Sequence, residues 1–288
     1  MKLEHLLADK KVILLDGGLG TELARRGCEM SGLSNMKNSG AVVAIHEDYR
    51  LAGSDILLTN TFTLNRISVE ARGLDVDVRK INAAAVQLAR EASEGKCLVF
   101  GDIGPTGKLL QPYGDYSETQ FYDCYTEQVQ ALIEAGADGI MIETITDLRE
   151  GICALRAAKD HTELPILLSL AFSTTERGGR TVMGSSVEEA AVAAEELGAA
   201  AVGANCGDLD PAQMAEIVLL FKNFTGLPIV IQPNAGIPKL VRGETIFDME
   251  PQEYAEGLMK CIEQGASIIG GCCGTTPAHI KEVALKIK

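Results

Sequence analysis

The feature that most constrains this chain is a short apolar run, followed by a turn and a helical pattern, that recurs along the whole length. The runs are VILLDGG from Val12, DILLTNTF from Asp55, CLVFGDIG from Cys97, GIMIETI from Gly139, PILLSLAF from Pro165, AAVGANCG from Ala200, PIVIQPNAG from Pro228 and SIIGGCCG from Ser267. Each is apolar nearly throughout instead of alternating, as a parallel strand covered on both faces must be. Between them lie amphipathic stretches such as VRKINAAAVQLAREA and SVEEAAVAAEELG, and several end in a glycine suited to a helix C-terminus (AGADG, LGAA, QGAS). Thr276-Pro277 reads as a helix start, a capping side chain followed by proline at the first helical position. These eight βα units predict an α/β protein, a (β/α)8 TIM barrel forming a single domain over residues 1–288. A doubly wound open sheet is the alternative, but evenly spread units with no second composition regime favour closure. The longest strand-poor stretches, 18–54, 63–96 and 105–138, leave room for extra loops at the barrel mouth.

Charge narrows the function. Lys and Arg total 26 against 40 Asp and Glu, a net charge of −14, and a phosphate backbone calls for a basic face instead. No apolar run approaches the ~20 residues that span a bilayer. The opening MKLEHLLADKK has neither the apolar core nor the cleavage site of a signal peptide. The expectation is a cytoplasmic enzyme with no nucleic-acid or membrane partner.

In a barrel of this kind, chemistry collects where strands end and βα loops begin. Those ends read Asp16, Thr59-Asn60-Thr61, Asp102, Glu143, Ser169, Asn205-Cys206, Gln232 with Asn234, and Cys272-Cys273. Of eight cysteines, Cys206, Cys272 and Cys273 fall there; Cys28, Cys97, Cys124, Cys153 and Cys261 lie elsewhere. The vicinal pair alone is open to a bland reading, two buried small hydrophobes. A disulfide between sequence neighbours is strained. A third cysteine at another strand end, with glycines around the pair (GGCCG), favours a zinc site with its fourth tetrahedral position open. Three thiolates leave such an ion a poor activator of water, yet coordination still lowers the pKa of a substrate thiol and keeps the sulfur nucleophilic. That chemistry is alkyl transfer to sulfur. A phosphate-loop reading of DGGLGTE and GGCCGTT is set aside, because neither the P-loop lysine sequence nor the dinucleotide spacing is present.

LLDGGLGTEL, TNTF, IGPTG, IET, GANCG, QPNAG and GGCCGTTP together resemble the homocysteine S-methyltransferase family. Within it they are most similar to the homocysteine-binding barrel of cobalamin-dependent methionine synthases. The likeness runs from about Asp16 to Pro277. It implies Cys206, Cys272 and Cys273 as zinc ligands, with the homocysteine thiol completing the shell and methionine as product. It also implies that Asp16 and Glu143 receive the substrate ammonium. For Asp16 the bland alternative is a turn residue bonding nearby amides; for Glu143, inside an apolar run, a structural role needs a buried partner. Thr61 and the TNTF backbone are expected to hold the substrate carboxylate, and Asn205 and Asn234 to flank the zinc. Asp102 is left between a structural and a functional role.

The methyl donor is expected to be a methylcorrinoid (cobalamin) presented by a separate protein, since the segment after the eighth helix leaves no room for a folate- or corrinoid-binding domain. S-methylmethionine is the runner-up. Betaine is disfavoured, because trimethylammonium groups are held by aromatic cages and the chain has no Trp. Two rivals stand beside this reading: a different thiol acceptor on the same zinc, and a zinc-bearing docking subunit without catalysis, which has no need of an ammonium site.

Overall fold

A computed structural model describes residues 2–241 and 244–287, and in it every one of the eight apolar runs contains a parallel strand. These are β1 (Ile13–Leu14), β2 (Ile56–Leu58), β3 (Leu98–Ile103), β4 (Gly139–Ile145), β5 (Ile166–Leu170), β6 (Ala201–Asn205), β7 (Ile229–Gln232) and β8 (Ile268–Ile269). They pair in chain order from β2 to β8, and β8 pairs with β1. A parallel bridge between Leu15 and Ile56 joins β1 to β2 and closes the ring. The expected barrel is what forms.

Each strand is followed by a helix: α1 (Ser39–Ala52), α2 (Val78–Ser93), α3 (Glu118–Glu134), α4 (Leu148–His161), α5 (Val187–Glu196), α6 (Pro211–Phe224), α7 (Pro251–Gln264) and α8 (Pro277–Lys286). Their ends are set locally. Ser117, Ser186, Asp210 and Thr276 accept backbone N–H groups as N-caps. Gly265, which ends α7, has φ 111°, in the left-handed region where a side chain is strained.

The apolar runs are buried on both faces, and the two faces alternate strictly. Ile13, Leu15, Ile56, Leu58, Leu98, Phe100, Met141, Leu167, Ala201, Val230 and Ile268 form one cluster inside the barrel. Their neighbours Leu14, Leu57, Val99, Ile142, Leu168, Val202, Ile231 and Ile269 belong to the larger cluster under the helices. Period-two alternation therefore points Asp102, Glu143, Ser169, Asn205 and Gln232 inward as well, one step above the apolar layers. At the opposite end, a helix from Leu3 to Asp9 lays Leu3 and Leu6 against the inner cluster. No helix among the described residues is long and apolar enough to cross a membrane.

The strand-poor stretches hold extra elements: short helices at Leu19–Arg25, Ser34–Lys37 and Arg66–Ala71. Two hairpins were not expected. Phe172–Thr174 pairs with Arg180–Thr181 after β5, and Lys239–Val241 with Glu244–Ile246 after β7.

The IGPTG turn after β3 is anchored by Glu150, near the start of α4. Its Oε1 accepts the Thr106 N–H and the Thr106 hydroxyl at 2.7 Å each, and the Tyr125 hydroxyl at 2.8 Å. All three residues are buried. Replacing Glu150 with Ala is expected to lower stability by about 1–3 kcal/mol, because buried donors are left unpaired. Tyr125→Phe, which removes one hydroxyl, should cost about 1 kcal/mol. Urea-unfolding midpoints check both.

Candidate metal centre and its cavity

Cys206 directly follows β6, and Cys272 and Cys273 lie just beyond β8, with β7 between the two strands. Their sulfur atoms lie within 4.8 Å of one another, the one such cluster of His, Cys, Asp or Glu among the described residues. Tetrahedral zinc with metal–sulfur bonds of about 2.3 Å holds its ligands about 3.8 Å apart, so modest side-chain rotation suffices to close the three sulfurs on one ion. The donor set is soft, anionic and one ligand short of a tetrahedron, which is the pattern of an open zinc site. The residues fit the metal.

Backbone geometry puts the sulfurs there. Cys206 adopts φ 55°, a left-handed conformation rare outside glycine. Gly207 follows at φ 67°, and a Cβ there would lie 2.2 Å from the Phe172 carbonyl oxygen, so only glycine fits. Asn234 ties the two cysteine loops together. Its Oδ1 accepts the Cys273 N–H and its Nδ2 donates to the Gly207 carbonyl, both at 3.1 Å.

The thiols influence one another strongly. Hydrogen bonds from Cys272 and Cys273 bring the Cys206 thiol down to about 3. Contacts with Cys206 and Cys273 hold Cys272 well up, and contact with Cys206 pushes Cys273 up to about 12. A divalent ion changes that balance by stabilising all three thiolates.

The cluster forms one wall of a cavity of about 380 Å³ at the C-terminal mouth of the barrel. Asp16, Asp102 and Glu143 line it too. They are 1%, 7% and 8% exposed. Asp16 Oδ2 accepts the Leu58 N–H at 2.9 Å, and Glu143 Oε2 accepts from Gln232 Nε2 at 3.4 Å. Burial raises all three acids, Glu143 to about 8. The negative charge on Glu143 raises Asp16 and Asp102 further, and that on Cys206 raises Glu143. Among the described residues, no Lys or Arg lines the cavity. Three acids thus line it, and a cation among them would offset the cost of ionising them. Among the described residues Phe62 is its single aromatic lining residue, and Met30, Ser31 and Gly32 of the first loop form part of its wall.

One expected substrate contact, Thr61, is arranged differently. Thr61 is fully buried and does not line the cavity. Its hydroxyl lies 2.6 Å from Thr59 Oγ1 and donates to the Asp102 carbonyl at 2.6 Å, so it joins β2 to β3 instead of facing a ligand. The Asn205 side chain lies beside the sulfur cluster, its Nδ2 3.9 Å from Cys272 Sγ, and is also held by protein. Its Oδ1 accepts the Thr144 N–H at 2.8 Å and the Ser169 hydroxyl at 2.7 Å, while Nδ2 donates to Thr144 Oγ1 at 2.7 Å. Thr144 has φ 59°, a strained conformation for a β-branched residue. One amide thus holds the bend that follows Glu143. The left-handed residue at 144 and the first-loop wall carry no sequence signature, whereas the alternation from Leu98 through Phe100 does mark Asp102 as inward-facing.

Residues 13–287 match the model of a family described as homocysteine S-methyltransferase. The chain is 31% identical over 299 residues to methionine synthase of Mycobacterium tuberculosis, covering 96% of this chain and 25% of that protein. For methionine synthase of Mycobacterium leprae the figures are 31%, 96% and 24%. The chain therefore spans about a quarter of the length of these relatives. Among solved structures, the homocysteine methyltransferase MmuM from Escherichia coli aligns over 99% of both chains. Its metallated form gives a TM-score of 0.83 at 25% identity, and its apo form 0.80 at 26%. The carboxyl transferase domain of Rhizobium etli pyruvate carboxylase, at 14% identity and a TM-score of 0.52, shares the fold alone. With its three sulfurs and its acidic cavity on the matched barrel, the chain belongs to the homocysteine S-methyltransferase family.

Proposed function

We propose that this protein transfers a methyl group to the thiol of homocysteine, giving methionine, at a zinc centre held by Cys206, Cys272 and Cys273. The observation that carries the reading is the joining of two unlike ends in one cavity, three clustered sulfurs at one and buried acids at the other. Homocysteine carries a matching thiol and ammonium. Zinc bound there supplies a fourth coordination position at which a thiol ionises near neutral pH and stays nucleophilic. Asp16 and Glu143 receive the ammonium, which supplies the positive charge the acids lack. Asn234 holds the cysteine loops in register, and Asn205 holds the bend that presents Glu143; both are positioning residues. The backbone of Gly32 and Asn60 offers polar groups on the wall for the substrate carboxylate, in place of Thr61. The acids also argue against a docking subunit without catalysis, which has no need of them.

The donor we assign is a methylcorrinoid carried on a separate protein. The resemblance of its motifs to those of cobalamin-dependent methionine synthases supports this. So does the rim of the mouth: Met36, Tyr113, Val182 and Leu240, on the connections after β1, β3, β5 and β7, are each at least 65% exposed. Apolar side chains ringing an open site suit a macromolecular partner. Betaine is disfavoured by a lining whose one aromatic residue is Phe62.

Cys206→Ser, Cys272→Ser and Cys273→Ser should each lose tightly bound zinc and methionine formation, while the barrel still folds. Metal analysis and circular dichroism on the same samples check this, and a variant with wild-type zinc and rate removes that ligand from the set. Glu143→Gln should retain zinc but raise the KM for homocysteine ten-fold or more. Loss of zinc, or an unchanged KM, speaks against the ammonium role. The donor is read by comparing rates at fixed homocysteine. A methylated corrinoid protein should be fastest, with free methylcobalamin a slow surrogate that lacks orienting contacts. Rapid turnover with S-methylmethionine or betaine alone reassigns the donor and leaves the zinc chemistry in place.

A further inference from the structure

Asp102 is the acid of this cavity to which neither the fold nor the reading above gives a task. It occupies the inward row of β3 directly above Leu98 and Phe100. Its side chain is more than nine-tenths buried, and Oδ1 has no hydrogen-bond partner. The strand does not need the carboxyl group. The Asp102 N–H donates to Thr59 Oγ1 at 3.0 Å, and its carbonyl accepts the Thr61 hydroxyl at 2.6 Å, so the buried threonine pair fixes the backbone by itself. A buried acid without a partner is costly to keep, and such groups call for an explanation.

Counting donors and acceptors suggests one. An α-ammonium presents three N–H groups, each best directed at a separate acceptor. One oxygen of Asp16 is taken by the Leu58 N–H and one of Glu143 by Gln232, which leaves one oxygen free on each. Those two oxygens meet two of the three donors. Asp102 lines the same cavity, and Asp16 and Glu143 are both close enough for their charges to act on it. A cation among the three offsets the repulsion that they otherwise exert on one another.

We propose that Asp102 is a third substrate-binding carboxylate, which takes the remaining ammonium N–H and makes the cavity select amino-acid thiols over thiols that lack the amine. The inference rests on the homocysteine reading above and adds to it the group that sets amine selectivity.

The test is calorimetric binding to the zinc-loaded protein, with three thiols as probes. Homocysteine carries both polar groups, 4-mercaptobutyrate lacks the amine, and 3-aminopropanethiol lacks the carboxylate. Wild type should prefer homocysteine over 4-mercaptobutyrate by a wide margin. In Asp102→Asn that preference should shrink ten-fold or more, with zinc content at the wild-type level, and in Asp102→Ala it should shrink at least as far. The preference for homocysteine over 3-aminopropanethiol, which reports the carboxylate contact, should move little. A merely structural role for Asp102 would weaken all three thiols together. An unchanged amine preference in both variants, or a loss confined to the carboxylate comparison, overturns the proposal. If wild type selects the amine through Asp102 but no donor yields methionine, the methyl-transfer reading fails and the acidic cradle stands. If wild type binds none of the thiols, both fall.

Discussion

Strands buried on both faces leave the inner row of a closed barrel no freedom: every second residue must face the axis. Low in the barrel that row is filled by Leu98, Phe100, Met141, Leu167 and Val230, with Leu3 and Leu6 packed beneath. One step higher it becomes Asp102, Glu143, Ser169, Asn205 and Gln232, and the cavity begins there. The change from apolar to polar along one row, repeated on neighbouring strands, creates a floor and a site together. The pairing order then brings β6 and β8 to either side of β7, so cysteines more than sixty positions apart in sequence become neighbours.

Much of this was legible in the sequence, for a physical reason. A parallel strand covered on both sides must be apolar throughout, so its length and its end can be read directly. Reading the ends located Cys206, Cys272, Cys273, Asp16 and Glu143 on the cavity wall. The hairpin strands at Phe172–Thr174 and Arg180–Thr181 escaped because they are two or three residues long and lie at the rim, where no continuous apolar run is required. Thr61 shows a different limit. Its residue type and its place beyond β2 suit a ligand contact, but side-chain direction beyond a strand end depends on the local turn, and here the hydroxyl turns toward β3. Asn205 was placed at the right strand end, yet residue type alone does not show that its amide is taken by Thr144 and Ser169. The alternation through Leu98 and Phe100 marked Asp102 as inward, but nothing in the sequence shows an oxygen left without a partner.

The two ends of the cavity share an electrostatic character. Contact with Cys206 raises Cys272 and Cys273, and burial raises the acids at the other end. Each end is short of positive charge: a metal suits one, an ammonium the other. They are mechanically connected as well. The amide of Asn205 immediately precedes Cys206 in sequence and grips the left-handed Thr144 that follows Glu143. A shift of one end is therefore felt at the other.

The filled interior beneath the cavity has a consequence for traffic. With Leu3 and Leu6 packed against the inner cluster of buried side chains, the barrel is a blind well and not a tunnel. Whatever enters over the rim must leave over the rim. Under the proposed reaction, a small acceptor seated at the bottom would be covered by a large donor at the opening, and its methylated product would depart only after the donor withdraws. The order of arrival and departure for such a pair would then follow from the shape of the well, last in and first out, without any moving gate.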